Sequence, residues 1–108
     1  DINNNELIEN SDIIVNSTPV GMSKVSNTPN SLPFGKDLWR SLKSGTIIYD
    51  LIYNPKQTAL LKFGHKKDCI TIDGSEMLVA QGAKSLSFWT NGVEIPIEIM
   101  KEALKNYL

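Results

Sequence analysis

Three short apolar runs limit what this chain can fold into: "DIIV" (Asp12 to Val15), "TIIYD" (Thr46 to Asp50) and "CITI" (Cys69 to Ile72). Each is rich in β-branched residues, lacks polar alternation and breaks off at turn formers, the pattern of a strand covered on both faces in a parallel sheet. Parallel neighbours need crossover connections, and the stretches between the runs supply helical patterns. Glu6 to Asn10 reads as the end of a helix, and Lys36 to Leu42 as a short one that finishes near Gly45. In "KQTALLKFGHKK", Leu60, Leu61 and Phe63 share one side of a helix, with Gly64 inside it or at its end. A further helix runs from Ser75 to Trp89, and Pro96 opens a last one to Leu108 that places Ile97, Met100 and Leu104 on one face. Residues 23–35 hold serines, asparagines, prolines and a glycine with no apolar period, which is loop chemistry. Strands alternating with helices give an α/β fold with right-handed crossovers. Three strands make half of a doubly wound parallel sheet with flanking helices.

The bulk properties exclude several classes. With 108 residues and 41% hydrophobic content the chain buries one small core. Eleven basic against 12 acidic side chains give a formal net charge of −1 with no long run of one sign. That leaves no electrostatic case for nucleic acid or an acidic membrane surface. Cys69 is the single cysteine, so no internal disulfide forms, and no Cys/His cluster exists to hold a metal. No apolar run approaches the roughly 20 residues that span a bilayer, and the N-terminus is Asn-rich rather than a signal peptide. A cytoplasmic chain is the expectation.

In an open parallel sheet, ligands bind outside the carboxyl ends of the strands. The three runs end in "NSTPVG", "DLIYNP" and "DGSEM", which should lie along one edge. Pro19 cannot donate to a ladder and holds Thr18 extended, so the strand stops and sets Asn16, Ser17 and Thr18 at that edge, where Gly21 allows a tight reversal. On spacing alone the same segment also reads as an ordinary strand-to-loop turn, with Asn and Thr side chains serving local backbone groups. On the helix from Ser75, the positions Leu78, Gln81, Gly82, Ser85 and Trp89 form a stripe expected to face inward, which gives Gln81 a buried amide in need of partners. His65 reads as a solvated residue near a helix end, Cys69 as core packing, and Asp50 and Asp73 as caps. No catalytic acid–base pair and no Gly-x-Gly-x-x-Gly loop are present.

"NSTPVGM" (Asn16 to Met22), "YDLIYNPKQTALL" (Tyr49 to Leu61) and "DGSEMLVAQGAKSLSFWT" (Asp73 to Thr90) resemble, in order and spacing, the C-terminal part of the shikimate dehydrogenase family. The resemblance implies reduction of 3-dehydroshikimate to shikimate with NADPH, in the pathway to aromatic amino acids. It also implies a Rossmann-like cofactor domain, an N-terminal substrate domain, and a C-terminal helix that packs back onto the latter. Residues 1–92 would then be the C-terminal half of the dinucleotide-binding domain and 93–108 the returning helix. By the same resemblance Asn16, Thr18, Pro19, Leu51, Gly74 and Met77 bind the cofactor, with Thr18 beside the nicotinamide ribose, while Tyr53 and Gln81 contact the substrate.

Two departures stand out: Thr58-Ala59 where the family often reads Thr-Pro, and Gly74-Ser75-Glu76-Met77 where it often reads Gly-Leu-Gly-Met. The family's catalytic Lys and Asp, its glycine-rich loop and its 2′-phosphate site belong upstream of Asp1, so the chain alone is expected to be inactive. It should expose the apolar face of its last helix, with self-association or a homodimer as the outcome. Two other readings fit the same residues: an NAD-dependent quinate/shikimate dehydrogenase, and a non-catalytic binding or structural module built on this half-sheet.

Overall fold

The computed structural model describes residues 5–22, 31–33 and 36–107. Of the loop expected at 23–35, residues 23–30, 34 and 35 lie outside them, as does Leu108. The elements run α1 (Asn5–Glu9), β1 (Ile13–Asn16), α2 (Lys36–Trp39), β2 (Ile47–Asp50), α3 (Ala59–Lys66), β3 (Ile70–Ile72), α4 (Ser75–Trp89) and α5 (Ile97–Tyr107). The strands form one parallel sheet in the order β1-β2-β3. Ile14, Ile48 and Thr71 stand in register, as do Val15, Tyr49 and Ile72.

Because side chains alternate along a strand, the register sorts the sheet into two faces. Ile14, Ile48 and Thr71 share the face on which α3 packs, and the core gathers there: Ile8, Trp39, Leu42, Ile48, Leu60, Leu61 and Cys69 are buried. Gly64 marks the closest approach of α3. A Cβ at that position would stand 3.2 Å from Ile48 Cγ1 and 3.3 Å from Thr71 Cγ2. The residue that weakens the helix is therefore what lets it sit down on the strands.

The opposite face corrects an expectation. Ile13 (59% exposed), Val15 (51%), Ile70 (56%) and Ile72 (41%) lie open, with Ile47 and Tyr49 half-buried between them. The runs that read as strands covered on both sides carry a helical layer on one side only among the described residues. A second correction concerns α2, which ends at Trp39 rather than Leu42. The chain turns there, with Leu42 N–H on the Trp39 carbonyl at 3.1 Å, and this drops both Trp39 and Leu42 into the core. The Trp39 indole N–H is satisfied by the Pro33 carbonyl at 2.6 Å.

The last two helices form a hairpin in which α5 packs on α4. Helix α4 closes with the Gly92 N–H on the Ser87 carbonyl at 2.7 Å and the Asn91 N–H on the Phe88 carbonyl at 3.4 Å, and Asn91 takes the left-handed φ of +57° that this cap requires. Met100 Cε reaches to 3.3 Å from where a Cβ on Gly82 would lie, so the small residue admits α5. Across the pair, Lys101 Nζ bonds Glu76 at 3.3 Å, and within α5 it lies 3.6 Å from Glu98. No helix among the described residues is long and apolar enough to cross a membrane.

Candidate functional site at the carboxyl edge of the sheet

Parallel pairing brings the ends of all three strands to one edge. Asn16 of β1 pairs with Asp50 of β2, and Gly74, two residues past β3, donates its N–H to the Ile52 carbonyl at 3.1 Å. The three polar segments expected there do meet.

At the centre is Asp50, fully buried. Its Oδ1 accepts from Asn16 Nδ2 and from Ile52 N–H, both at 3.1 Å, and its Oδ2 accepts from the Thr58 hydroxyl at 2.6 Å. Burying a carboxylate is tolerable when donors replace the lost water, and here three do. Thr58 is also the N-cap of α3, its Oγ1 accepting from Leu61 N–H at 3.2 Å. Asn16, 5% exposed, spends its second amide hydrogen on the Val20 carbonyl at 3.4 Å. Its Oδ1 takes the Thr18 N–H at 3.0 Å and the Thr18 hydroxyl at 2.7 Å. The segment after β1 is thus folded around the Asn16 side chain, and Gly21, at φ +105°, completes the reversal against Ile52 and Thr58.

The second feature is a backbone contact. A Cβ on Gly74 would lie 2.0 Å from the Leu51 carbonyl oxygen and 2.5 Å from its carbon, so Leu51 and Gly74 touch main chain to main chain. Asp73 then turns the chain into α4, accepting from Ser75 N–H at 2.8 Å and from the Ser75 hydroxyl.

The candidate residues sort clearly. Asn16, Thr18, Leu51 and Gly74 converge at the edge, and Pro19 lies exposed beside them. Tyr53, 37% exposed, and Met77 are open on the surface. Gln81 departs from the inward stripe expected of it. It is exposed, and the buried side of α4 is Val79 and Ala83. Gly82 of the same stripe meets Met100 of α5, while Trp89, like Gln81, is exposed.

Glu76 lies in a cleft of about 440 Å³ between the Asn54 to Lys56 turn and α5. Its hydrogen bond and charge hold the Lys101 ammonium above the ordinary lysine pKa. Its carboxylate thus ties α4 to α5. The contribution missed in the sequence is that of Asp50 and Thr58, whose only signal was an aspartate closing a strand eight residues before a threonine that precedes an apolar helix.

Comparison with known proteins agrees with this arrangement. Residues 74–105 match the family model described as the Shikimate 5′-dehydrogenase C-terminal domain. A shikimate dehydrogenase (NADP(+)) of Prochlorococcus marinus strain MIT 9312 is 68% identical over 102 residues, covering 94% of this chain and 36% of the relative. A solved shikimate dehydrogenase in complex with NADP+ is 42% identical with a TM-score of 0.76, over 89% of this chain and 31% of that one. The shikimate 5-dehydrogenase of Listeria monocytogenes, solved with shikimate and NAD, is 30% identical with a TM-score of 0.79, over 96% of this chain and 35% of that one. The chain spans about a third of the length of the relatives it matches, and over that span its sequence and fold match the C-terminal part of the shikimate dehydrogenase family.

Proposed function

We propose that this chain supplies the nicotinamide-side wall of an NADP-dependent dehydrogenase that interconverts 3-dehydroshikimate and shikimate. The observation that carries the reading is the sheet edge itself: the Asn16 to Gly21 turn and the Leu51 to Gly74 contact, held rigid by Asp50, in a chain 68% identical to a protein named for that reaction. The edge fits a dinucleotide in kind. It offers the Thr18 hydroxyl and main-chain groups, and the Asp50 carboxylate behind them is buried and taken up by three donors. The cofactor would supply the hydride; the residues here orient what it binds to.

In this reading Asn16, Thr18, Pro19, Leu51, Gly74 and Met77 line the cofactor, and the exposed Tyr53 and Gln81 face the substrate's hydroxyls and carboxylate. Residues 1–92 are the second half of the dinucleotide domain, and 93–108 dock on an N-terminal substrate domain that holds the catalytic Lys and Asp. The neighbour solved with shikimate and NAD keeps an NAD-dependent enzyme as the second reading. The test is shikimate-dependent reduction of NADP+ by the full chain that carries these residues, set beside the 108 residues alone. Activity in the full chain and none in the short one is expected; a full chain inert toward shikimate with both cofactors would overturn the reading.

A further inference from the structure

We propose that the buried carboxylate of Asp50 sets the direction of a hydrogen-bond chain that ends at the sheet edge, making the Thr18 hydroxyl an obligate acceptor for a hydroxyl of the bound ligand. The inference rests on the dinucleotide reading above, which puts a ribose at this edge.

The direction follows from counting protons. Leu61 N–H points at Thr58 Oγ1, so Thr58 accepts there and its own proton goes to Asp50 Oδ2. Asp50 takes that proton, the Ile52 N–H and an Asn16 amide hydrogen, and donates nothing. The Asn16 amide cannot reverse. Turned over, its oxygen would face the Asp50 carboxylate and the Val20 carbonyl, and its NH2 would face the Thr18 N–H. With Asn16 Oδ1 fixed toward Thr18, an acceptor lies 2.7 Å from Thr18 Oγ1, and the hydroxyl proton must point inward. One Thr18 lone pair takes the Val20 N–H at 3.3 Å. A single lone pair is the capacity that remains.

Whatever bonds Thr18 from the edge must therefore donate. A ribose hydroxyl does so, whereas a phosphate or carbonyl oxygen would meet lone pair against lone pair. Asp50 touches no ligand and acts as a positioning residue, reaching the edge through Asn16.

The test uses the full chain and two ligands: NADP, and an analogue whose nicotinamide-side ribose carries hydrogens in place of its hydroxyls. Titration calorimetry gives the ratio of their affinities, which a merely structural role would leave alone. Thr18→Val is expected to weaken NADP about tenfold, the scale of one hydrogen bond, and to leave the analogue unchanged. Thr18→Ser keeps the preference. Asp50→Asn, which weakens one of the groups that hold the Asn16 amide in place, also lowers the ratio, and combined with Thr18→Val it adds little more. If Asp50→Asn does not fold, Asn16→Leu breaks the chain at its middle link and is expected to lower the ratio likewise. The proposal is overturned if Thr18→Val weakens both ligands alike or neither, or if the Asp50 or Asn16 variant folds and keeps the wild-type ratio. An unmodified full chain that binds neither NADP nor NAD fails at the earlier step and removes the dinucleotide reading itself.

Discussion

Two glycines, one capping α4 and one within it, separate what a backbone contact demands from what a helix tolerates. At Gly74 a methyl group would land 2.0 Å from the Leu51 carbonyl oxygen, and a main-chain atom cannot give way as a side-chain tip can. Gly74→Ala is expected to cost about 3 kcal/mol as the turn is pushed off the sheet. At Gly82 the added methyl meets only the flexible Met100 Cε at 3.3 Å. Gly82→Ala is expected to be neutral or stabilising by up to about 1 kcal/mol, the helix-propensity gain of alanine over glycine. Urea titrations of the two variants check the pair, and equal effects would refute the steric reading of Gly74. Cys69 gives a prediction in pH. Burial, the largest influence, raises its thiol above the ordinary 9.0, and the thiol lies 3.2 Å from the Lys43 carbonyl. A group whose pKa is raised in the folded state favours folding below its unfolded value, and that advantage is lost as pH rises from 9.0 through the folded value. Stability should therefore fall as pH rises above 9.0 in the native chain and fall less in Cys69→Ala, once each protein is compared with its own stability below that pH. Parallel curves would show that the thiol contributes nothing.

At the scale of elements, local signals and tertiary decisions part company. The bounds of α4 could be read from the chain because both ends are local: the Asp73 turn at one and the Asn91-Gly92 cap at the other. The strand ends meet at one edge because parallel pairing requires it, and "NSTPVG", "DLIYNP" and "DGSEM" announced those ends. The side that α4 turns inward was not readable. Leu78, Gln81, Gly82 and Ser85 form as regular a stripe as Val79 and Ala83, and the choice between them belongs to what packs on the helix. Nor was the hub readable, since Asn16, Asp50 and Thr58 come from three elements and each alone looks like a turn or cap residue. Thr58 serves two elements at once, which sets its expected cost. Thr58→Ala removes the α3 cap, about 1 kcal/mol, and leaves the buried Asp50 short of one donor, about 1–2 kcal/mol more. A total near 2–3 kcal/mol by chemical denaturation is expected, with most of it recovered in Thr58→Ser. A loss confined to the cap value would mean that the Thr58 to Asp50 bond adds nothing net.

For the whole molecule the decisive feature is the open face of the sheet, where Ile13, Val15, Ile70 and Ile72 surround Tyr49. Parallel sheets are covered on both faces in stable proteins, because their strands are apolar on both. The described residues cover one, and the matching relatives are nearly three times as long. With a formal net charge of −1 there is little repulsion to keep exposed apolar faces of two copies apart. The 108 residues alone should therefore self-associate and bind a hydrophobic dye, and the full chain should do neither. Paired substitutions sharpen this into a change of sign. Ile13→Lys with Ile70→Lys puts charge at the two margins of the patch, where both side chains are more than half exposed. In the short chain the double variant should stay within about 0.5 kcal/mol of the parent and sediment closer to a monomer. In the full chain, if upstream residues cover that face, each lysine buries an unpaired charge and stability should drop by several kcal/mol. Sedimentation and denaturation of both lengths decide the matter. A full chain indifferent to the two lysines would mean that the face stays open to water in the whole protein, and that its apolar character serves contacts with another molecule.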